Sequence, residues 1–209
     1  EAFFQSRLPY RLVGAQRFYG RQEVKDMIAY LRTVQNPADE VSLLRVINLP
    51  PRGIGDKTIE DLRTCANQAD LSMGSVLLDL GAKQDTSPYW DRFSPRAASA
   101  LATFGTLLTT WRSLSTSVLL PDLFEHILKD THYQEFITDA SSEIGYSRWE
   151  NVQELLRMAY EYAQVGLVDF LENLALVSDQ DTLPEKSDAP TLLTLHAAKG
   201  LEFSQVFII

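Results

Sequence analysis

Three short stretches hold the residues of this chain whose types and spacing could do chemistry. The first is LPPRGIGDKT, residues 49–58. Neither Gly53 nor Gly55 carries a Cβ, so a turn built on them and on Ile54 lets the backbone approach another chain closely. Free N–H groups at the start of a following helix, with the helix dipole behind them, suit a phosphate. Arg52 and Lys57 flank the turn with positive charge, and Thr58 follows. A plain helix–turn–helix corner, whose glycines only turn the chain, has the same pattern, and the local motif leaves both readings open.

The second stretch is LTLHAAKGLEF, residues 193–203. A strand that ends in a polar turn near a helix start is where α/β proteins place ligands. There Lys199 offers a point charge, Glu202 an acceptor for a sugar hydroxyl, and His196 a donor or a stacking ring. A strand-to-helix corner with solvated charges fits the same spacing. In the third stretch, RFYGRQEVKD (17–26), basic and aromatic residues interleave. Arg17, Arg21 and Lys25 could face a nucleic acid while Phe18 and Tyr19 stack or pack; solvated charges over packed aromatics are the plainer alternative.

Other chemistry finds little support in the residues. His126 and His132 have no Cys or His at ligand spacing, so no metal is assigned. No Gly-Lys-Ser/Thr phosphate loop, nucleophile elbow or zinc signature occurs in the 209 residues. Apolar residues make up 45% of the chain, enough for a buried core, and no apolar run approaches a membrane span. Cys65 is the single cysteine, expected to be a buried thiol in a reducing cytoplasm. The chain opens on Glu1 without a basic-then-apolar leader, which leads us to expect a segment of a longer protein.

A net charge of −9 argues at first sight against a nucleic-acid partner. The charge is uneven, however: residues 7–63 hold ten Lys/Arg against seven Asp/Glu, a balance of +3 that leaves −12 for the rest. Only this basic front would favour phosphate.

The elements that must position these residues follow from periodicity. YRLVG reads as a short strand. Val24, Met27, Ile28 and Leu31 recur at i, i+3, i+4 and i+7, which predicts an amphipathic helix ended by NPADE. VSLLRVINLP is an apolar stretch leading to the glycine turn, and Asp56 could cap a helix with Ile59, Leu62, Ala66 and Ala69 on its inner face. GAKQDTSP reads as a loop. Ser94–Pro95 starts a long helix with Leu101, Leu108 and Trp111 buried, and another starts near Pro121. Trp149, Val152, Leu156, Ala159, Tyr160 and Ala163 keep a helical period, and LVDFLENLALVS makes a further helix. SDQDTLPEKSDAP is an acidic linker. The terminal runs TLLTL and VFII lack alternation, as strands buried on both faces do, and YRLVG would be their sheet partner. The pattern predicts a mainly α fold, a helical domain inserted into an α/β domain formed by both chain ends.

Taken together, the three stretches resemble the UvrD/PcrA/Rep group of superfamily 1 DNA helicases. YRLVGAQRFYGRQEVKDMIAYLR resembles that family's Tyr-x-hydrophobic-x-Gly-Gly, Arg-Phe, Glu-Arg-x-Glu-Ile-Lys-Asp, Tyr-Leu-Arg block. NPADEVSLLRVINLPPRGIG resembles its Asn-Pro-x-Asp … Arg-Gly-Ile-Gly segment, and TLLTLHAAKGLEFSQVFII its motif V; SRWENVQELL adds a weaker match. Ala15, Gly20 and Ser204 depart from the pattern.

The resemblance implies that residues 1–33 and 188–209 are parts of the RecA-like motor domain 2A and that 34–187 form the inserted helical 2B subdomain. It implies that 2B grips duplex DNA ahead of the fork through Arg52, Gly53, Ile54 and Gly55, with Lys57 and Thr58 beside them, and swivels to regulate unwinding. It places Thr194 and His196 at single-stranded DNA, and Lys199, Gly200 and Glu202 by the nucleotide of the parent enzyme, whose cofactors would be ATP and Mg²⁺. The motor domains that complete this site would be further partners, together with repair or replication proteins. A regulatory or protein-docking module, or part of a helicase–nuclease subunit, stays open as an alternative.

Overall fold

The computed structural model describes residues 11–13, 18–138, 143–180, 190–193 and 205–207, and they are mainly helical. Contacts divide the chain into two compact units, residues 22–171 and a second unit from the two ends, 1–21 with 172–209.

The apolar spacing at Val24, Met27 and Leu31 folds as helix α1 (Gln22–Gln35), with all three residues fully buried. This helix lies within the helical unit. Two buried polar residues of α1 help to hold it there. Asp26, 2% exposed, accepts from Arg45 Nε at 2.7 Å and from the Tyr133 hydroxyl at 2.8 Å. Glu23, 5% exposed, accepts from Asn151 Nδ2 at 2.6 Å. Buried carboxylates are stable only with such partners, so two acids on α1 bind it to three other segments of the unit.

The apolar stretch after NPADE forms a helix that periodicity missed, α2 (Glu40–Val46). At seven residues it is too short to display a period; its signal is Asp39, whose carboxylate accepts from the Ser42 N–H at 3.1 Å as N-cap. Helix α3 (Asp56–Gln68) buries Leu62, Cys65 and Ala66. Helix α4 (Met73–Lys83) was also missed, because its glycines blur the pattern; the segment read as a loop, residues 81–88, begins with the last three residues of this helix and continues into a short 3₁₀ turn, Gln84–Thr86, with a second, Trp90–Arg92, after it. Helix α5 (Pro95–Leu114) starts as predicted, on a Ser94 cap and Pro95.

Helices α4 and α5 approach so closely that side chains are excluded at the crossing. A Cβ on Gly81 would lie 2.2 Å from the carbonyl carbon of Gly105, and one on Gly105 would lie 2.0 Å from the Leu77 oxygen. Around this crossing the core gathers Tyr30, Phe104 and Trp111. Trp111 meets Tyr30 edge-on, ring centroids 5.8 Å apart, and Phe104 at 6.4 Å, and its indole N–H donates to Asp130 at 2.9 Å. Arg112 Nη1 donates to the Val34 carbonyl at 2.6 Å, satisfying an orphan acceptor at the C-terminus of α1. Helices α6 (Leu120–Thr131), α7 (Tyr133–Thr138), α8 (Glu143–Glu161) and α9 (Leu167–Gln180) follow. Among the described residues no helix is long and apolar enough to cross a membrane.

In the unit formed by the two ends, β1 (Arg11–Val13) pairs in parallel with β2 (Thr191–Leu193), Arg11 opposite Thr191 and Val13 opposite Leu193. The strands expected at YRLVG and TLLTL are therefore present and paired. The third is not seen in its described part. Val206 and Phe207 lie outside any strand and are 68% and 86% exposed, and the rest of that run lies outside the described residues.

Candidate nucleic-acid interface

The residues singled out in LPPRGIGDKT lie between α2 and α3 and form a turn fixed from inside the protein. Asn48, at the end of the α2 segment, turns its Oδ1 under the loop and accepts two main-chain N–H groups, from Arg52 at 2.7 Å and from Ile54 at 3.1 Å. The Ile54 side chain is fully buried and anchors the tip. Gly53 has φ +77°, a conformation that an L side chain resists, so this glycine is required by the backbone. Gly55 is different. Its φ of −88° suits any residue, and a Cβ there would meet nothing within 4 Å, so only the approach of an external chain would ask for glycine.

Gly55, and not Asp56, is the N-cap of α3. Its carbonyl accepts the Ile59 N–H at 3.0 Å, and it offers no side-chain cap, so the sequence placed the helix start one residue late. Among the described residues no acceptor takes the N–H of Gly53, Gly55, Asp56, Lys57 or Thr58. These donors, together with the helix dipole, make the turn electropositive on its outer side. Lys57 is exposed beside them and Thr58 is half-buried, while exposed Asp56 opposes the positive field.

Arg52 departs from the expectation that it faces a phosphate. Its guanidinium is turned into the protein, where Nη1 donates to the carbonyls of Val46 (2.9 Å) and Leu49 (2.7 Å) and Nη2 to the Tyr30 hydroxyl (2.6 Å). The same group lies 5.1 Å from the ring centroid of Phe104 and 5.8 Å from that of Tyr30. Tyr30 in turn donates to the Leu49 carbonyl. Burial, the largest influence, pushes the Tyr30 phenol up to about 12 against the lowering effect of Arg52, so it stays a hydroxyl at neutral pH. Sequence reasoning missed both Asn48 and Tyr30. An asparagine before a proline–glycine turn is a local signal that could have suggested the first; nothing local points to the second.

Arg21 and Lys25 are exposed, Arg21 in the end unit and Lys25 on α1 in the helical unit. Phe18 and Tyr19 pack edge-on against each other, 5.2 Å apart. Arg17, Thr194, His196, Lys199, Gly200 and Glu202 lie outside the described residues. Cys65 is buried, and burial pushes its thiol up, as expected of a structural cysteine. Both His126 and His132 are exposed, and His132 holds the left-handed position at the end of α6.

A helical body joined to paired strands from both chain ends, with an uncapped glycine turn opening a helix, accompanies a family match along the whole chain: the UvrD-like helicase C-terminal domain covers residues 1–209, and the chain belongs to this family. Among its relatives, the ATP-dependent DNA helicase PcrA of Bacillus subtilis is 36% identical over 219 residues, which take in 100% of this chain and 29% of the relative. The ATP-dependent DNA helicase UvrD1 of Mycobacterium tuberculosis is 35% identical over 227 residues, and DNA helicase II of Escherichia coli 33% over 216. Each match takes in 100% of this chain and 29% of the relative, so the chain spans under a third of the length of these proteins.

Proposed function

We propose that this chain is the duplex-gripping and regulatory part of an ATP-dependent DNA helicase. The observation that carries the reading is the Gly53–Gly55 turn, with five main-chain N–H groups that no described residue accepts and Lys57 exposed beside them. Such a site takes the sugar–phosphate backbone without reading base sequence. In this reading residues 34–187 act as the 2B subdomain and the two ends belong to 2A. Thr194 and His196 would meet single-stranded DNA. Lys199, Gly200 and Glu202 would sense the nucleotide across a surface completed by another motor domain.

ATP and Mg²⁺ belong to that completed site. Phosphoryl transfer needs a charge clamp around the transferred group, and this chain carries no phosphate loop to supply it. The pure chain is expected to show no Mg²⁺-dependent ATP turnover above a Lys199→Ala control; turnover above that control would overturn the assignment.

Duplex binding tests the turn. The chain should bind duplex DNA weakly, since its net charge is −9, without sequence preference and with an affinity that falls as salt rises. Each phosphate neutralised contributes a log–log slope of about −0.9. Lys57→Ala should flatten the slope by about that amount, and an unchanged slope would place the contact elsewhere.

A further inference from the structure

Arg52 and Asn48 sit under the turn, and their bonds assign them a role that the sequence does not suggest. The single oxygen of the Asn48 amide takes the N–H groups of Arg52 and Ile54, at 2.7 and 3.1 Å. These two donors are therefore satisfied from within, while no described residue accepts the remaining N–H groups of the turn. Arg52 closes the same loop from its other side. Three of its five N–H donors go to Val46, Leu49 and Tyr30, and its plane lies over Phe104. To grip a phosphate, this guanidinium would have to leave two carbonyls, a buried phenol and an aromatic face at once.

We infer that Asn48 and Arg52 are positioning residues, which preshape the Gly53–Gly55 turn for a DNA backbone that neither of them touches. The inference rests on the duplex-binding reading of the turn. Its physical content is pre-organisation. A loop already held in its binding shape loses less conformational freedom on association, so affinity rises without a new contact. The arrangement also links the turn to the core, because the Arg52 partners Tyr30 and Phe104 lie on α1 and α5.

The experiment uses the 209-residue chain, a random-sequence DNA duplex followed by fluorescence anisotropy across a salt series, and exchange of the Ile54 amide by NMR. Asn48→Ala is expected to speed Ile54 exchange and to weaken duplex binding about tenfold, at an unchanged salt slope. Asn48→Asp keeps the acceptor oxygen, so it should restore Ile54 protection but not affinity, since a carboxylate under the turn repels phosphate. This separation of amide protection from affinity is one that a merely structural role would not produce. Arg52→Ala should weaken binding with the slope unchanged, and where that variant does not fold, Arg52→Gln and the Asn48 pair carry the test. A slope flattened by about 0.9 in an Arg52 variant would make Arg52 a direct phosphate ligand and overturn the inference for it. Unaltered Ile54 exchange and affinity in Asn48→Ala would overturn it for Asn48. Should the unaltered chain fail to bind duplex at all, the duplex reading of the turn falls, while Ile54 exchange still decides whether the two side chains shape it.

Discussion

The Tyr133 hydroxyl donates to Asp26 Oδ2 at 2.8 Å across 107 residues of sequence, and Arg45 meets the other oxygen of the same carboxylate at 2.6 Å. Helix α7 and helix α2 are thus fastened to one buried acid on α1. Tyr133→Phe keeps the packing and removes the donor, which should cost about 1.5–3 kcal/mol, the range for hydrogen bonds to a charged group. Arg45→Ala should cost about 2–3 kcal/mol. That is less than for a fully buried pair, because the Arg45 side chain is 37% exposed while Asp26 is 3% exposed. Urea denaturation of the two variants and of the double variant would check this, and the double variant should lose less than the sum, since both partners serve one carboxylate.

The glycines separate packing from function. Gly81→Ala and Gly105→Ala put a methyl group into opposing backbone, so each should destabilise the chain by about 1–3 kcal/mol or more. Gly53→Ala, at φ +77°, should cost about 1–2 kcal/mol through its backbone alone. Gly55→Ala has open space and an ordinary φ. It should leave thermal stability unchanged or slightly raised while it weakens duplex binding, because the methyl stands where the DNA backbone would approach. Equal binding by Gly55→Ala and the unaltered chain would remove the turn from the interface.

Alkaline pH should loosen the bonds around the turn in a defined window. Burial raises both Tyr30, to about 12, and Tyr133, whose phenol is further raised by Asp26. An ordinary tyrosine titrates near 10, so the stabilisation from these neutral phenols is fully present below about pH 10. It is lost as pH rises through the folded-state value, for Tyr30 about 12. Spectrophotometric titration should find late-titrating phenols, one of them missing in Tyr30→Phe and another in Tyr133→Phe. A single early step for all eight tyrosines would contradict the buried arrangement.

Acid should act on the start of α2. Burial raises the Asp39 carboxyl, but the Ser42 hydroxyl at 2.6 Å, the Ser42 N–H and nearby Arg32 outweigh it and hold the group below its usual value. A depressed folded-state pKa contributes stability above the unfolded value, near 3.9, and loses it as pH falls through the folded one. Asp39→Ala should therefore cost about 1 kcal/mol at pH 7 and less in acid, once the carboxyl is protonated, measured by urea unfolding across the pH range.

The contrast between α1 and its neighbours shows what was legible in the residues. Helix α1 could be read because fourteen residues with an unbroken apolar period leave little choice of structure. Helix α2 gave only its capping acid, and α4 was hidden by Gly74 and Gly81. Those glycines answer to close approaches, by Pro37 to Gly74 and by Gly105 to Gly81. The paired strands at Arg11–Val13 and Thr191–Leu193 were legible as elements, and their shared sheet followed from β-like runs at both ends of a helical middle.

The sequence alone determined the local devices: the glycine turn of residues 53–55, the Ser94–Pro95 helix start, the apolar faces and the family. These depend on interactions within a few residues, which spacing records. Tertiary structure decided where the charges go. Glu23 and Asp26 stand in an exposed-looking polar series yet are buried, because Asn151, Arg45 and Tyr133 arrive from distant segments to satisfy them. Arg52 lies in the basic front yet points inward, because Tyr30 and Phe104 provide a hydroxyl and a ring face that only folding brings beside it. A charged side chain is directed by all partners within reach, and most of those are remote along the chain.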